Sequence, residues 1–158
     1  MKIHVLTRRQ LVPARANEVF AFFEDAHNLS RITPRAMGFQ IITPIPIAMR
    51  PGALIDYVVR VSGLPVRWTT LITEYDPPHG FVDVQLKGPY SYWHHHHAFA
   101  EVDQGTEISD TIHYALPAGV LGTFIHALFV RRKLNRIFDY RAAVIKNRFP
   151  GQQEKGPS

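Results

Sequence analysis

The 158-residue chain contains no cysteine. Disulfide bridges, thiolate nucleophiles and cysteine-held metal centres are thereby excluded, and the absence fits a reducing, cytoplasmic setting. Long hydrophobic runs are missing as well. The longest nearly apolar stretch, residues 119–130, is broken by His126 and is too short to span a bilayer. Met1-Lys2-Ile3-His4 leads straight into a strand-like segment, so no secretory signal is expected. No G-x-G-x-x-G loop, helical H-E-x-x-H or recognised nucleic-acid-binding motif occurs. There are no internal repeats. A hydrophobic content of 46% and a charged content of 20% are ordinary for one globular domain, long enough to bury about two-thirds of its unfolded surface.

The elements follow from periodicity and turn signals. Residues 3–12 read as a strand ended by Pro13. Residues 16–24 read as a helix with Val19, Phe20 and Phe23 on one face and Asn17 as its cap. A second short helix is expected over residues 27–32, stopped by Thr33-Pro34. A short strand at 39–43 precedes a proline-rich loop. Strands are then expected at 54–61, 66–75, 81–86, 92–102 and 107–116, separated by short Gly, Pro and Asp turns that favour an antiparallel meander. From 118 to 149 the period changes to three and four, giving one long amphipathic helix between Pro117 and Pro150. Residues 1–149 thus form one domain, and 150–158 are expected to be a disordered tail. Segregated strands and helices indicate an α+β domain. A curved antiparallel sheet of six to seven strands gripping the last helix leaves a cavity between them.

Trp93-His94-His95-His96-His97-Ala98-Phe99 is the most informative stretch. Alternation along a strand puts Trp93, His95, His97 and Phe99 on one face and His94 and His96 on the other. An apolar wall with two placed imidazoles has the composition of a ligand pocket. The same rule turns Tyr57, Trp68 and Thr70 inward, and Asp110 and Tyr114 with them. The strand carrying Asp83 and Gln85 is ambiguous, and apolarity alone sends those two outward. Phe124 and Leu128, from the apolar stripe of the last helix, complete the expected ligand contacts.

His-x-His on a strand has spacing suited to a metal, but nothing in the sequence sets a third ligand beside it, so neither metal nor cofactor is expected. The pair has two further readings. His95 or His97, assisted by Asp110, has the makings of an acid/base pair, and the same groups suit hydrogen bonding to a ligand. The bland alternative is that the histidines satisfy one another or a buried water.

The net charge of +5 gathers in Arg131-Arg132-Lys133 and Arg136, with Arg141, Lys146 and Arg148 following. Such runs are usually solvated helix faces, although beside an apolar segment they also suit peripheral contact with anionic lipid. One of Arg131 and Arg132 interrupts the apolar stripe and is a candidate to point inward. A nucleic-acid partner is not expected, because the aromatics are committed to the inner wall. Exposed apolar loops leave a monomer or a homodimer open.

Taken in order, several stretches resemble the START-like, or SRPBCC, superfamily and within it a subgroup of bacterial proteins. They are Asn28-Leu29-Ser30-Arg31-Ile32-Thr33-Pro34, Leu54-Ile55-Asp56-Tyr57, Arg67-Trp68, Phe81-Val82-Asp83-Val84-Gln85 and Gly88-Pro89-Tyr90, then Trp93-His94-His95-x-His97-x-Phe99, Val130-Arg131-Arg132 and Ile137-Phe138-Asp139-Tyr140-Arg141. The resemblance implies a helix-grip fold and a small hydrophobic ligand (lipid, sterol or polyketide) held between sheet and helix. In a minority of relatives it implies cyclisation or dehydration. Some subgroup relatives are labelled sugar-nucleotide epimerases, which the missing dinucleotide fingerprint rejects here.

Overall fold

The computed structural model describes residues 1–117 and 123–151, with side chains of the last helix from residue 128 onward. Strand β1 (His4–Val12) is followed by helix α1 (Ala16–Glu24) and two 3-10 turns (Ala26–Ser30 and Arg35–Met37). Strands β2 (Gln40–Ile41), β3 (Leu54–Val61), β4 (Leu64–Asp76), β5 (Gly80–Lys87), β6 (Tyr92–Val102) and β7 (Gly105–Ala115) come next, and helix α2 (Thr123–Arg148) closes the fold. The strands form one seven-stranded sheet in the order β1-β7-β6-β5-β4-β3-β2, antiparallel throughout. This is the α+β helix-grip architecture that the element order predicts.

Two local expectations shift and a third is not reached. Helix α1 begins at Ala16 after an extended Arg15, so Asn17 lies within the first turn and is not the cap. There its Oδ1 accepts the neighbouring Glu18 N–H at 2.9 Å. The helix expected over 27–32 is a 3-10 turn, opened by Asp25 accepting the His27 N–H at 2.9 Å. The last helix is described from Thr123, so its expected start at 118 and the tail from 152 lie outside the described residues.

Two buried clusters hold the domain together. Phe20 and Phe23 of α1 meet Phe99 of β6 edge-on, at ring-centroid distances of 5.5 and 5.0 Å. Phe22 meets Phe149 beyond α2 at 5.8 Å. The second cluster joins Trp68, Trp93, Ile112 and Tyr114 of the sheet to Leu134 and Phe138 of α2. Each such side chain contributes roughly 1.5–3 kcal/mol on burial. Gln10 and Arg8 of β1 also tie the sheet edge to α2, through Ala142 O at 2.8 Å and the Asp139 carboxylate. No helix among the described residues is long and apolar enough to cross a membrane.

Candidate functional site

Strand β6 alternates as its sequence predicts: Trp93, His95, His97 and Phe99 are buried, and His96 is exposed. Strand register then decides which polar groups meet. Asp83 of β5 stands opposite His95, and Asp110 of β7 stands opposite His97. Each imidazole also reaches the other carboxylate diagonally, because side chains two residues apart on one face are near neighbours. Four ionisable groups therefore share one buried knot.

His95 Nε2 lies 2.8 Å from Asp110 Oδ1, and His97 Nε2 lies 2.9 Å from Asp83 Oδ2. His95 Nδ1 is 3.5 Å from Asp83 Oδ2. His97 Nδ1 is 2.9 Å from Asp110 Oδ1 but out of line for a hydrogen bond, so that contact is purely electrostatic. The two imidazoles lie 3.7 Å apart between centroids, tilted by 36°, and Phe81 stacks on His97 at 4.2 Å. The histidines are only 4% and 5% exposed.

Burial and neighbours split the two imidazoles. His95 is pushed down to about 4, first by loss of water and then by the charge of His97, so it is neutral. Burial also works against a proton on His97, but the carboxylates of Asp110 and Asp83 outweigh it and raise this group. Burial disfavours ionised Asp83 and Asp110, yet the imidazoles hold both below the usual carboxylate range, Asp110 well below. These shifts favour ionised carboxylates paired with a proton on His97. Arg141 of α2 supplies the remaining positive charge, its Nη1 3.9 Å from Asp110 Oδ1. The Arg141 Nε and Nη1 are nevertheless buried with no hydrogen-bond partner among the described residues, and so is Trp68 Nε1.

A cavity of about 410 Å³ opens between the sheet and α2, within the range typical of small-molecule sites. Its lining draws on both hydrophobic clusters, with Asp83, His95, His97 and Arg141 as its charged patch. An aromatic wall stands beside that patch. Trp68 and Trp93 meet at right angles 5.3 Å apart, Tyr57 stacks on Trp68 at 5.8 Å, and Tyr90 lies 4.8 Å from Trp93. Tyr57 also shares a 3.3 Å hydrogen bond with Thr70. Such an arrangement sets indoles and phenols beside a carboxylate–imidazole pair, the geometry suited to a flat apolar body with polar atoms at one end.

Of the residues expected at the site, Tyr57, Trp68, Thr70, Trp93, His95 and His97 line the cavity. Phe99, Asp110 and Tyr114 are buried behind that lining, and Asp110 touches both imidazoles from there. Leu128 is 48% exposed and lies off the wall, while the α2 positions that line the cavity include Val130, Leu134, Phe138 and Arg141. Phe124 lies outside the described side chains. Asp83 turns inward against the apolarity rule, since Phe81, the group that stacks on His97, shares its face. Arg131 and Arg132 are exposed, and the inward arginine is Arg141. Its signal was present in the sequence: Leu134, Phe138, Arg141 and Ile145 recur at steps of four, three and four, and all are buried.

A family model described as polyketide cyclase/dehydrase and lipid transport matches residues 12–138. The chain belongs to this family. Its fold matches the Zhui aromatase/cyclase from Streptomyces sp. R1128 with a TM-score of 0.76 and 15% identity, over 99% of this chain and 100% of that one. TTHA0849 from Thermus thermophilus matches with a TM-score of 0.74 and 15% identity, over 92% and 97%. The di-domain ARO/CYC BexL from the BE-7585A biosynthetic pathway matches with 0.73 and 20%, covering 96% of this chain and 51% of that one. Among curated proteins, none matches. At these identities the structural likeness speaks for the cyclase/dehydrase-family fold alone, and the chemistry has to be argued from the cavity.

Proposed function

We propose that the protein binds a small hydrophobic or aromatic molecule, of lipid, sterol or polyketide type, in the cavity between the sheet and α2. The observation that carries this reading is an apolar cavity of about 410 Å³ lined by residues whose buried donors, on Trp68 and Arg141, have no protein acceptor among the described residues. A buried donor left unpaired costs about 1–3 kcal/mol, and an acceptor oxygen on a ligand removes that penalty. The ligand is therefore a flat apolar body with at least one carbonyl, carboxylate or phenolate oxygen.

Displacement of a fluorescent fatty-acid or naphthalene probe by a panel of aromatic ketones, sterols and fatty acids tests the reading. Saturable displacement by oxygen-bearing aromatics, weakened in Trp68→Phe, is expected. Absence of probe binding and of any panel ligand in native mass spectra rules it out.

A second reading, acid/base conversion of the bound molecule as in a cyclase or dehydratase, is supported by the His97–Asp83 and His95–Asp110 pairs beside the cavity. Turnover of a bound ligand that stops in the His95→Ala/His97→Ala variant would favour it. Retained turnover in that variant would dispose of it.

A further inference from the structure

We propose that Asp83, His95 and His97 form a site for one divalent transition-metal ion, with Asp110 behind the ligands and the open coordination positions facing the cavity. The argument starts from tautomers. The Asp110 carboxylate can only accept, so His95 carries its proton on Nε2, 2.8 Å from Asp110 Oδ1. Its Nδ1 then presents a bare lone pair to Asp83 Oδ2 across 3.5 Å. A cation can bridge these two acceptors, taking the place of the proton that His97 Nε2 otherwise shares with the same oxygen.

His97 completes the set from the other side, with Nε2 2.9 Å from the same carboxylate oxygen and Nδ1 turned to Asp110. One donor atom from each of Asp83, His95 and His97 lies within 4.8 Å of the others. Metal–ligand bonds of about 2.0–2.2 Å place neighbouring ligand atoms roughly 3.0 Å apart at right angles and roughly 3.4 Å apart in a tetrahedron. The observed separations of 2.9 and 3.5 Å bracket that range.

The surroundings are those of a metal centre. Metal-bound histidines pass their second N–H to a carboxylate, and Asp110 accepts from the second nitrogen of His95 and lies 2.9 Å from that of His97. Two imidazoles and one carboxylate leave coordination positions vacant, as in catalytic zinc sites and non-haem iron centres. All three ligand residues line the cavity, so those positions are open to an oxygen of the bound molecule.

A second group of histidines complicates any binding measurement. His94 and His113 pair across β6 and β7 on the opposite face, with ring centroids 6.0 Å apart. The test therefore uses chelator-stripped full-length protein titrated with Co(II) and followed by visible absorption, then with competing Zn(II). The wild type and a His94→Gln/His113→Gln variant should each bind one equivalent per chain and show the intense bands of a four- or five-coordinate ion.

Asp83→Asn and His97→Gln should abolish those bands, and Asp110→Asn should weaken affinity about 10- to 100-fold. Should the Asp83 variant not fold, His97→Gln and the wild-type spectrum decide. No saturable binding by the wild type, loss of binding in the outer-face variant, or an unchanged spectrum in a folded inner-face variant overturns the proposal. The inference goes beyond ligand binding and does not depend on it: the metal is read by Co(II) absorption and the organic ligand by probe displacement, so either can fail alone.

Discussion

Replacing Arg141 by methionine removes the one guanidinium beside the carboxylate–imidazole knot and keeps most of the side-chain volume. The attraction lost is that between Nη1 and Asp110 Oδ1 at 3.9 Å. With an effective dielectric of roughly 20 it amounts to about 4 kcal/mol. Against that, Nε and Nη1 are buried without partners, and relieving two unmade hydrogen bonds returns about 2–6 kcal/mol. The guanidinium also sits 4.7 Å over the Phe138 ring, where a thioether makes a comparable contact. The terms offset, so Arg141→Met should unfold within about 2 kcal/mol of wild type.

Asp110→Ala is different, because it strips both imidazoles of one of their two carboxylates and leaves buried Arg141 without a counter-charge, and should cost about 3–5 kcal/mol. For a chain of this size that is a fall in Tm of roughly 6–20 °C. Urea unfolding and calorimetry of chelator-treated protein give the two stabilities, and probe displacement gives the affinities. The expected result is a stable Arg141→Met protein that has lost binding of oxygen-bearing ligands. Equal destabilisation by the two substitutions, with affinity intact in Arg141→Met, would show that the arginine is there for the fold and refute the reasoning.

Trp68→Phe keeps an aromatic ring but removes the unpaired indole N–H, so ligand affinity should fall by up to roughly tenfold, the worth of one hydrogen bond, with little change in Tm. Gly80→Ala would bring a Cβ to 2.3 Å from the His97 carbonyl oxygen, forcing β5 off β6 beside the knot. A loss of about 1–3 kcal/mol in unfolding free energy by urea titration is expected. The Tyr75 hydroxyl donates to Glu24 Oε2 at 2.6 Å, and this bond, with some burial, raises the phenol from 10.0 to about 12. A folded-state value above the unfolded one stabilises the protein below pH 10, and the contribution is lost as pH rises from 10 to 12. Urea unfolding across that window should show a smaller decline for Tyr75→Phe than for wild type.

The fold was legible because its cues are local and repeated. Alternation in β6, turn residues between strands and the three-and-four period of α2 each specify an element without reference to a partner. Helix starts were less legible, since Ala16 opens α1 from an uncapped Arg15 and leaves Asn17 inside. At the site, alternation separates His95 and His97 from His94 and His96, but it cannot say which carboxylate they meet. That depends on register between strands distant in sequence, Asp83 against His95 and Asp110 against His97. Asp83 was hidden for a second reason: an apolarity rule turns a carboxylate outward, and only its imidazole partners make the inward orientation tolerable. Arg141 was hidden among surface arginines, although its spacing from Leu134 and Phe138 marks it as buried.

The knot is also what the fold needs least. Phe20, Phe23, Phe81 and Phe99 close one cluster and Trp68, Trp93, Tyr114 and Phe138 the other without any ionised group. Buried ion pairs replaced by apolar residues of similar volume are often neutral or stabilising by about 1–4 kcal/mol. A chain selected for stability alone would have filled positions 83, 95, 97 and 110 with aliphatic side chains. Instead they carry two carboxylates and two imidazoles, next to a cavity and an arginine whose donors lack acceptors among the described residues. Local departures from good folding practice concentrate where a protein meets its ligand. A quintuple variant, Asp83→Leu, His95→Leu, His97→Phe, Asp110→Leu and Arg141→Met, which removes the whole ionic set, should therefore be at least as stable as wild type while losing Co(II) and oxygen-bearing ligands together. Marked destabilisation of that variant would instead make the knot part of the scaffold.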